Sequence, residues 1–250
     1  MCRRYITMTG TDAATGRHES AQPEAHGLDL PELRTLVAGD VRPASLADKA
    51  YYLIRDAIVA LDLPPGTTID EKALMAELDL GRTPVREALR RLADDRLVEV
   101  VPRRGMYVTH VDIGDLAAIS ELRVEVEGHA ARLAAERANA RERAAAAELL
   151  GHVAAHEDAD QRTLMRVDQM VHRHVHRAAH NPYLQRVAEE HFLLSLRLWF
   201  LVLDRVPWLP QAVAEHVELL EAVRDGDSAR AELVVRAHIA GFERTVREVI

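Results

Sequence analysis

A mainly α-helical chain is predicted: an N-terminal head of three helices and a small β-hairpin, followed by a C-terminal all-α helical bundle. Three observations carry this. Apolar residues recur at helical spacing from Leu46 to Ile58 and again over most of 112–249. Runs of β type stand at Leu97–Val101 and Met106–Val111, and no convincing strand follows Asp112. The turn-forming sequences Leu63-Pro64-Pro65-Gly66, Leu80-Gly81, Asn181-Pro182 and Asp225-Gly226-Asp227 fall between these segments rather than inside them.

The 250 residues allow one large domain or two small ones. Acids outnumber Lys and Arg by 40 to 32, for a net charge of −8. That excludes a generally basic nucleic-acid coat, but not a local basic face. Cys2 is the single cysteine, so no intrachain disulfide or thiolate cluster can form, and a reducing, cytoplasmic setting is expected. Met1–Gly10 has no apolar run behind its arginines, so no signal peptide is expected. The longest apolar stretch, 192–203, is interrupted by Arg197 and falls short of the roughly 20 residues a membrane span needs.

Residues 1–42 show little periodicity and are expected to form a disordered tail, with a short helical turn around 28–37. The head is expected over 43–111. Ser45 is placed to cap its first helix, and the Pro-Pro-Gly turn stops it. Glu71–Leu78 forms the second. Thr83 is expected to cap the third, with Pro84 at its first position, running to about Asp95. A hairpin with its tip at Pro102-Arg103-Arg104-Gly105 closes the head. The bundle is expected over 112–250, with helices near 112–137, 140–159, 162–180, 182–205, 209–225 and 228–249.

Three helices followed by a hairpin is the winged helix-turn-helix plan, in which the third helix enters the major groove of DNA and the hairpin reaches the backbone or minor groove. Between Arg82 and Arg104 stand seven arginines against four acids. Arg82, Arg86 and Arg90 recur every four residues and so share a face. A planar guanidinium bonds guanine edges and phosphates in pairs. Thr83 and the free amides at the helix start suit a phosphate. The same spacing also fits a surface helix whose arginines are simply solvated.

The second pattern is histidine. Nine of the 13 histidines lie between His152 and His238. Asp168 and His172 are one helical turn apart. His216 and His238 lie ten and twelve residues from Gly226, level with each other if two antiparallel helices meet there. Two such pairs can converge inside a bundle on one metal ion. One carboxylate and three imidazoles suit a first-row divalent ion, Zn or Ni first and Mn or Fe next, better than Ca or Mg. Periodicity leaves His172 and His176 equivalent, and an acid one turn from a histidine is also a common surface hydrogen bond. His152, His156 and His191 read as surface or core residues, and His174 as solvated.

The run Leu80-Gly-Arg-Thr-Pro-Val-Arg-Glu-Ala-Leu-Arg-Arg-Leu92, with Leu63-Pro-Pro-Gly-Thr67 before it and Arg104-Gly-Met-Tyr-Val108 after, resembles the DNA-binding head of the GntR family of bacterial transcription regulators. That resemblance implies operator contacts from Lys72, Arg82, Thr83, Arg86, Arg104 and Gly105. Gly81 stands where the family usually has a small hydroxyl residue. Leu122-Arg123 with Glu127, Asp168-x3-His172 with Asn181-Pro182-x-Leu184, and Glu215-His216 through Gly226-Asp227 to His238 resemble the FCD effector domain of the FadR subfamily. Metal-binding members ligate one divalent ion at the positions of Asp168, His172, His216 and His238. Val171 and His180 depart from the usual residues. The resemblance implies a homodimeric regulator, a repressor by the commoner mode, on a palindromic operator. A small organic acid on the ion, clamped by Arg123, would be its signal, although Arg123 could equally pair with Glu127. Two other readings compete: a regulator whose signal is the ion itself, and a metal-dependent hydrolase. The second wants a carboxylate base beside the ion, and the sequence shows none.

Overall fold

A computed structural model describes residues 43–156, 159–202 and 215–249. The expected tail, its short helical turn and the first residues of the helix expected at 209–225 lie outside these. The head comprises α1 (Leu46–Val59), α2 (Glu71–Leu78), α3 (Arg82–Asp94), β1 (Val98–Val101) and β2 (Gly105–Val108). A 3-10 turn, Ile113–Asp115, leads to α4 (Leu116–Arg137), α5 (Ala140–Ala155), α6 (Gln161–Ala178), α7 (Pro182–Val202), α8 (His216–Asp225) and α9 (Ser228–Val249).

Local chemistry accounts for most of the boundaries. The Ser45 hydroxyl accepts the amide of Asp48 at the start of α1, and Asp70 accepts the amides of Lys72 and Ala73 at the start of α2. Asn139 and Glu142 close a reciprocal capping box on α5. The expectation for α3 needs correction. Gly81, not Thr83, is its N-cap, and no side chain caps it. Pro84 is therefore the third helical residue. The first amides of a helix have no helical acceptor, so a proline there loses nothing, and the helix can begin ahead of Thr83.

In the hairpin, Val98 pairs with Val108 and Val101 with Gly105, antiparallel. Strand β2 ends at Val108, three residues earlier than expected: Thr109 still donates its amide to the Leu97 carbonyl, but the Leu97 amide turns back to the Leu92 carbonyl and the next pair does not close. The segment after the Pro-Pro-Gly turn pairs with β2 from its other side, through Gly66 to Val108 and Ile69 to Met106. Ile54, Ile58, Val85, Leu89, Leu92 and Leu97 fill the head core. In the bundle, α4 packs against α6, α7, α8 and α9. Its fully buried Ala130, Ala131, Ala134 and Ala135 let those neighbours approach closely. Phe192, Leu196, Leu198 and Trp199 of α7 are buried in this core. Among the described residues, no helix is long and apolar enough to cross a membrane.

Head and bundle share apolar packing: Val59 of α1 belongs to the bundle core, and Phe200 of α7 packs on the head core. Beside this junction Arg55 and Asp56 form a buried pair, 3.2 Å apart. Burial pushes Asp56 up to about 6, although Arg55 and Arg173 pull it down. An aspartate in an unfolded chain titrates near 3.9. The folded chain thus holds a proton that the unfolded chain releases between about pH 4 and 6. The stability this group contributes is present below pH 4 and lost as the pH rises through 6. Asp56→Asn is expected to flatten that part of the profile, by up to about 3 kcal/mol between pH 4 and 6. Melting curves of the two proteins from pH 4 to 7 test this, and parallel profiles refute it.

Candidate functional site

Helix α6 presents Asp168 and His172 one turn apart on its buried face, as the sequence spacing requires. Helices α8 and α9 meet at Gly226, whose φ of 79° is left-handed and closes α8 with the Asp227 amide on Ala222. Arg143 fixes this turn by donating to the Val223 and Arg224 carbonyls. His216, the first residue of α8, then lies against His238 of α9, with ring centroids 4.5 Å apart.

The structure brings Asp168, His172, His216 and His238 together: one ligand atom from each lies within 4.8 Å of all the others. The His216 and His172 Nε2 atoms are 3.3 Å apart. Asp168 Oδ1 lies 3.5 Å from His216 Nε2, 3.7 Å from His172 Nε2 and 4.0 Å from His238 Nε2. With bonds of about 2.1 Å, ligand atoms stand about 3.0 Å apart on an octahedron and about 3.4 Å on a tetrahedron. Contraction by a few tenths of an ångström seats a first-row ion. All four residues are at most 9% exposed, so solvent would not dilute the attraction.

A second layer of carboxylates aims these rings. Glu127 of α4 sits with Oε2 2.6 Å from His172 Nδ1, and Glu215 with Oε2 2.9 Å from His238 Nδ1. Burial pushes the His172 imidazolium down against the pull of Glu127 and Asp168, which favours the neutral ring. Its Nδ1–H then donates to Glu127 and its Nε2 lone pair faces the centre. Burial alone would raise Glu127, but Arg123, His172 and His176 hold it well below the usual carboxylate range.

Of the two equivalent histidines of α6, His172 joins the four-residue group. His176 lies one turn on, with Nε2 3.1 Å from Glu127 Oε2. His180 pairs with Glu142, His191 hydrogen-bonds the Val187 carbonyl, and His156 hydrogen-bonds the His152 carbonyl. His174, expected to be solvated, is half-buried. Arg123 is buried, with Nε 2.5 Å from Glu127 Oε1 and Nη1 donating to Ser195 Oγ at 2.7 Å.

Glu127 and Glu215 are the residues the sequence reading missed as neighbours of the ligand set. It expected no further carboxylate there, and this is corrected: Glu127 comes from a helix 45 residues before His172. A signal existed, since Arg123 and Glu127 stand one turn apart and Glu215 adjoins His216. Glu127 bonds the far side of His172 and the Arg123 guanidinium, and with His172 and His176 it forms a second buried group whose ligand atoms lie within 4.8 Å of one another.

The second surface is on the head. Lys72, Arg82, Thr83, Arg86, Arg104 and Gly105 are all exposed. The i, i+4 face of α3 is therefore open to a groove, while Val85, Ala88, Leu89 and Leu92 bury the other. Arg86 Nε rests 2.8 Å from Glu71 Oε2 of α2. Arg91, by contrast, turns inward to Asp48 at 2.6 Å and lies over the Tyr51 ring. Gly105 has φ of 107°, a conformation that disfavours any side chain, so the hairpin tip depends on it.

Comparison with known proteins bears on both surfaces. Residues 46–108 match the family described as bacterial regulatory proteins, gntR family, and residues 118–241 match the FCD domain. An uncharacterised HTH-type transcriptional regulator from Agrobacterium vitis is 37% identical over 41% of this chain and 61% of its own length. A protein of Paenarthrobacter nicotinovorans, described as a probable D-xylose utilization operon transcriptional repressor, is 31% identical over 84% of this chain and 88% of its own. The solved structure of Escherichia coli McbR/YncC superimposes with a TM-score of 0.72 at 21% identity, covering 82% of this chain and 98% of that one. Matches to both domain families in series, with a relative similar along most of the chain, show that it belongs to the GntR family of bacterial transcription regulators, with an FCD domain as its bundle.

Proposed function

We propose that the chain is a homodimeric cytoplasmic repressor whose affinity for a palindromic operator is set by a small carboxylate bound at a metal ion in the bundle. The observation that carries this is the buried group Asp168, His172, His216 and His238 with Glu127 and Glu215 behind it. Four ligands on a six-coordinate ion leave two positions, and a divalent first-row ion, Zn or Ni first and Mn or Fe next, would supply Lewis acidity there to carboxylate oxygens. Arg123 is the proposed clamp. A guanidinium carries five N–H donors, and the contacts to Glu127 and Ser195 engage two of its nitrogens, which leaves donors for an acid. Glu127 holds the guanidinium in place and aims His172.

On the DNA side, Arg82, Thr83 and Arg86 of α3 would read the major groove, while Lys72, Arg104 and Gly105 contact the backbone. A twofold dimer presents two such helices to a palindrome. Arg86→Ala is expected to weaken binding to DNA selected by the wild-type chain by about 1–3 kcal/mol, with the melting temperature unchanged. Its ion pair with Glu71 is exposed, so little stability is lost with it. Equal gel-shift affinity would show that this helix is misplaced on DNA.

A thermal-shift screen of organic acids against zinc-loaded protein, followed by operator binding with each hit, tests the whole reading. An acid that stabilises the loaded protein and releases DNA supports it. Metal alone switching operator affinity, with no acid effect, would make the ion the signal. Turnover of a phosphate ester or an amide by the loaded protein would favour the hydrolase.

A further inference from the structure

Helix α7 touches both functional parts of the molecule from opposite faces. Toward the buried polar site, Phe192 stacks on the His172 ring at 4.6 Å, and Ser195 Oγ accepts from Arg123 at 2.7 Å. Residues two apart on a helix point about 200° apart, so Arg197 faces away from that site and toward the head. It is 1% exposed, and both of its hydrogen bonds among the described residues go to Thr109, where the hairpin leaves the head. Nη1 donates to Thr109 Oγ1 at 2.8 Å and Nη2 to the Thr109 carbonyl at 2.5 Å. The Thr109 hydroxyl in turn donates to the Leu97 carbonyl at 3.2 Å, and the Thr109 amide to the same oxygen at 3.1 Å. The Leu97 amide closes on the Leu92 carbonyl in the last turn of α3, at 2.9 Å.

We infer that α7 is the lever between the two sites and that the buried Arg197–Thr109 joint delivers its position to the DNA-reading helix α3. The contacts run without a gap: His172 to Glu127, Glu127 to Arg123, Arg123 to Ser195, along α7 to Arg197, then through Thr109 and Leu97 to α3. The joint is stiff for a physical reason. Burial pulls the Arg197 guanidinium down to about 10, so it is still a cation at neutral pH, and away from Thr109 it would stand buried with its charge unsolvated. A joint of this kind holds or lets go as a unit rather than stretching, which is what a switch between two head arrangements requires.

The inference rests on the proposed function only for what occupies the site, and the test separates the two. Hydrogen exchange at the Leu97 and Thr109 amides is followed in the full chain, metal-free and with zinc, for wild type, Arg197→Met and Thr109→Val. Zinc is expected to slow both amides roughly tenfold or more in wild type and to leave them unchanged in the two variants, while each variant still binds one zinc. Equal protection in wild type and variants would overturn the joint, as would zinc that binds wild type without touching these amides. Should Arg197→Met not fold, Thr109→Val decides, since it removes only the hydroxyl. Should zinc fail to bind wild type, the metal centre falls and the joint is still tested. Ser195→Ala then replaces zinc as the perturbation, and it must change the same two amides in wild type but not in the Thr109→Val background.

Discussion

His216→Ala combined with His238→Ala is expected to strip the purified protein of stoichiometric metal and to lower its melting temperature. The two rings come from helices joined only by the Gly226 turn and meet at 4.5 Å, and their loss leaves Asp168 and His172 as an incomplete pair. A bound ion stabilises the folded state by mass action, about 2.7 kcal/mol at a hundredfold excess over its dissociation constant, so its loss shows directly in the melt. His176→Ala is the control: His176 lies on Glu127 rather than among the four ligands, and metal content should hold. One metal per chain in the double variant would sink the site.

Arg123→Ala is expected to cost more than the loss of a surface ion pair. Glu127 is 1% exposed and would be left in the bundle core facing only imidazoles and no guanidinium. Breaking a buried pair from one side typically costs about 3–5 kcal/mol. In a chain of this size that is a fall of the order of 10 °C in melting temperature. Metal affinity should drop as well, by about 10–100-fold, because the carboxylate that aims His172 is disturbed. Glu127→Gln in the Arg123→Ala background removes the stranded charge and should recover much of the lost stability. A melting temperature for Arg123→Ala within a degree of wild type would mean that the Arg123–Glu127 contact carries no such load. The first two substitutions probe the ligands, and this pair probes the layer that orients them.

The head was legible because its signals are local. Ser45 and Asp70 cap the helices they precede, the arginines of α3 keep a four-residue step, and the Pro-Pro-Gly turn interrupts the periodicity where the chain reverses. Thr83 reads as a cap because proline favours the first helical position, yet proline is tolerated anywhere in the first turn, where the amides have no helical acceptor. The pairing of residues 66–69 with β2 was not legible, since four residues without alternation carry no strand signal. Likewise the level placement of His216 and His238 follows from counting along two helices from one turn, a short-range argument.

Short-range order along the chain was enough to specify the helices, the exposed arginine face of α3 and the level placement of His216 with His238, because each depends on spacings of three, four or a dozen residues. Tertiary packing alone decided His172 over His176: a period of 3.6 puts both on the buried face of α6, and only the level at which His216 and His238 meet that helix picks out His172. It alone brought Glu127 across 45 residues to His172 and Arg197 across 88 residues to Thr109. Those contacts satisfy charges buried far from water. The need to satisfy them is set by the core that forms around them, and that core does not exist until the helices have packed.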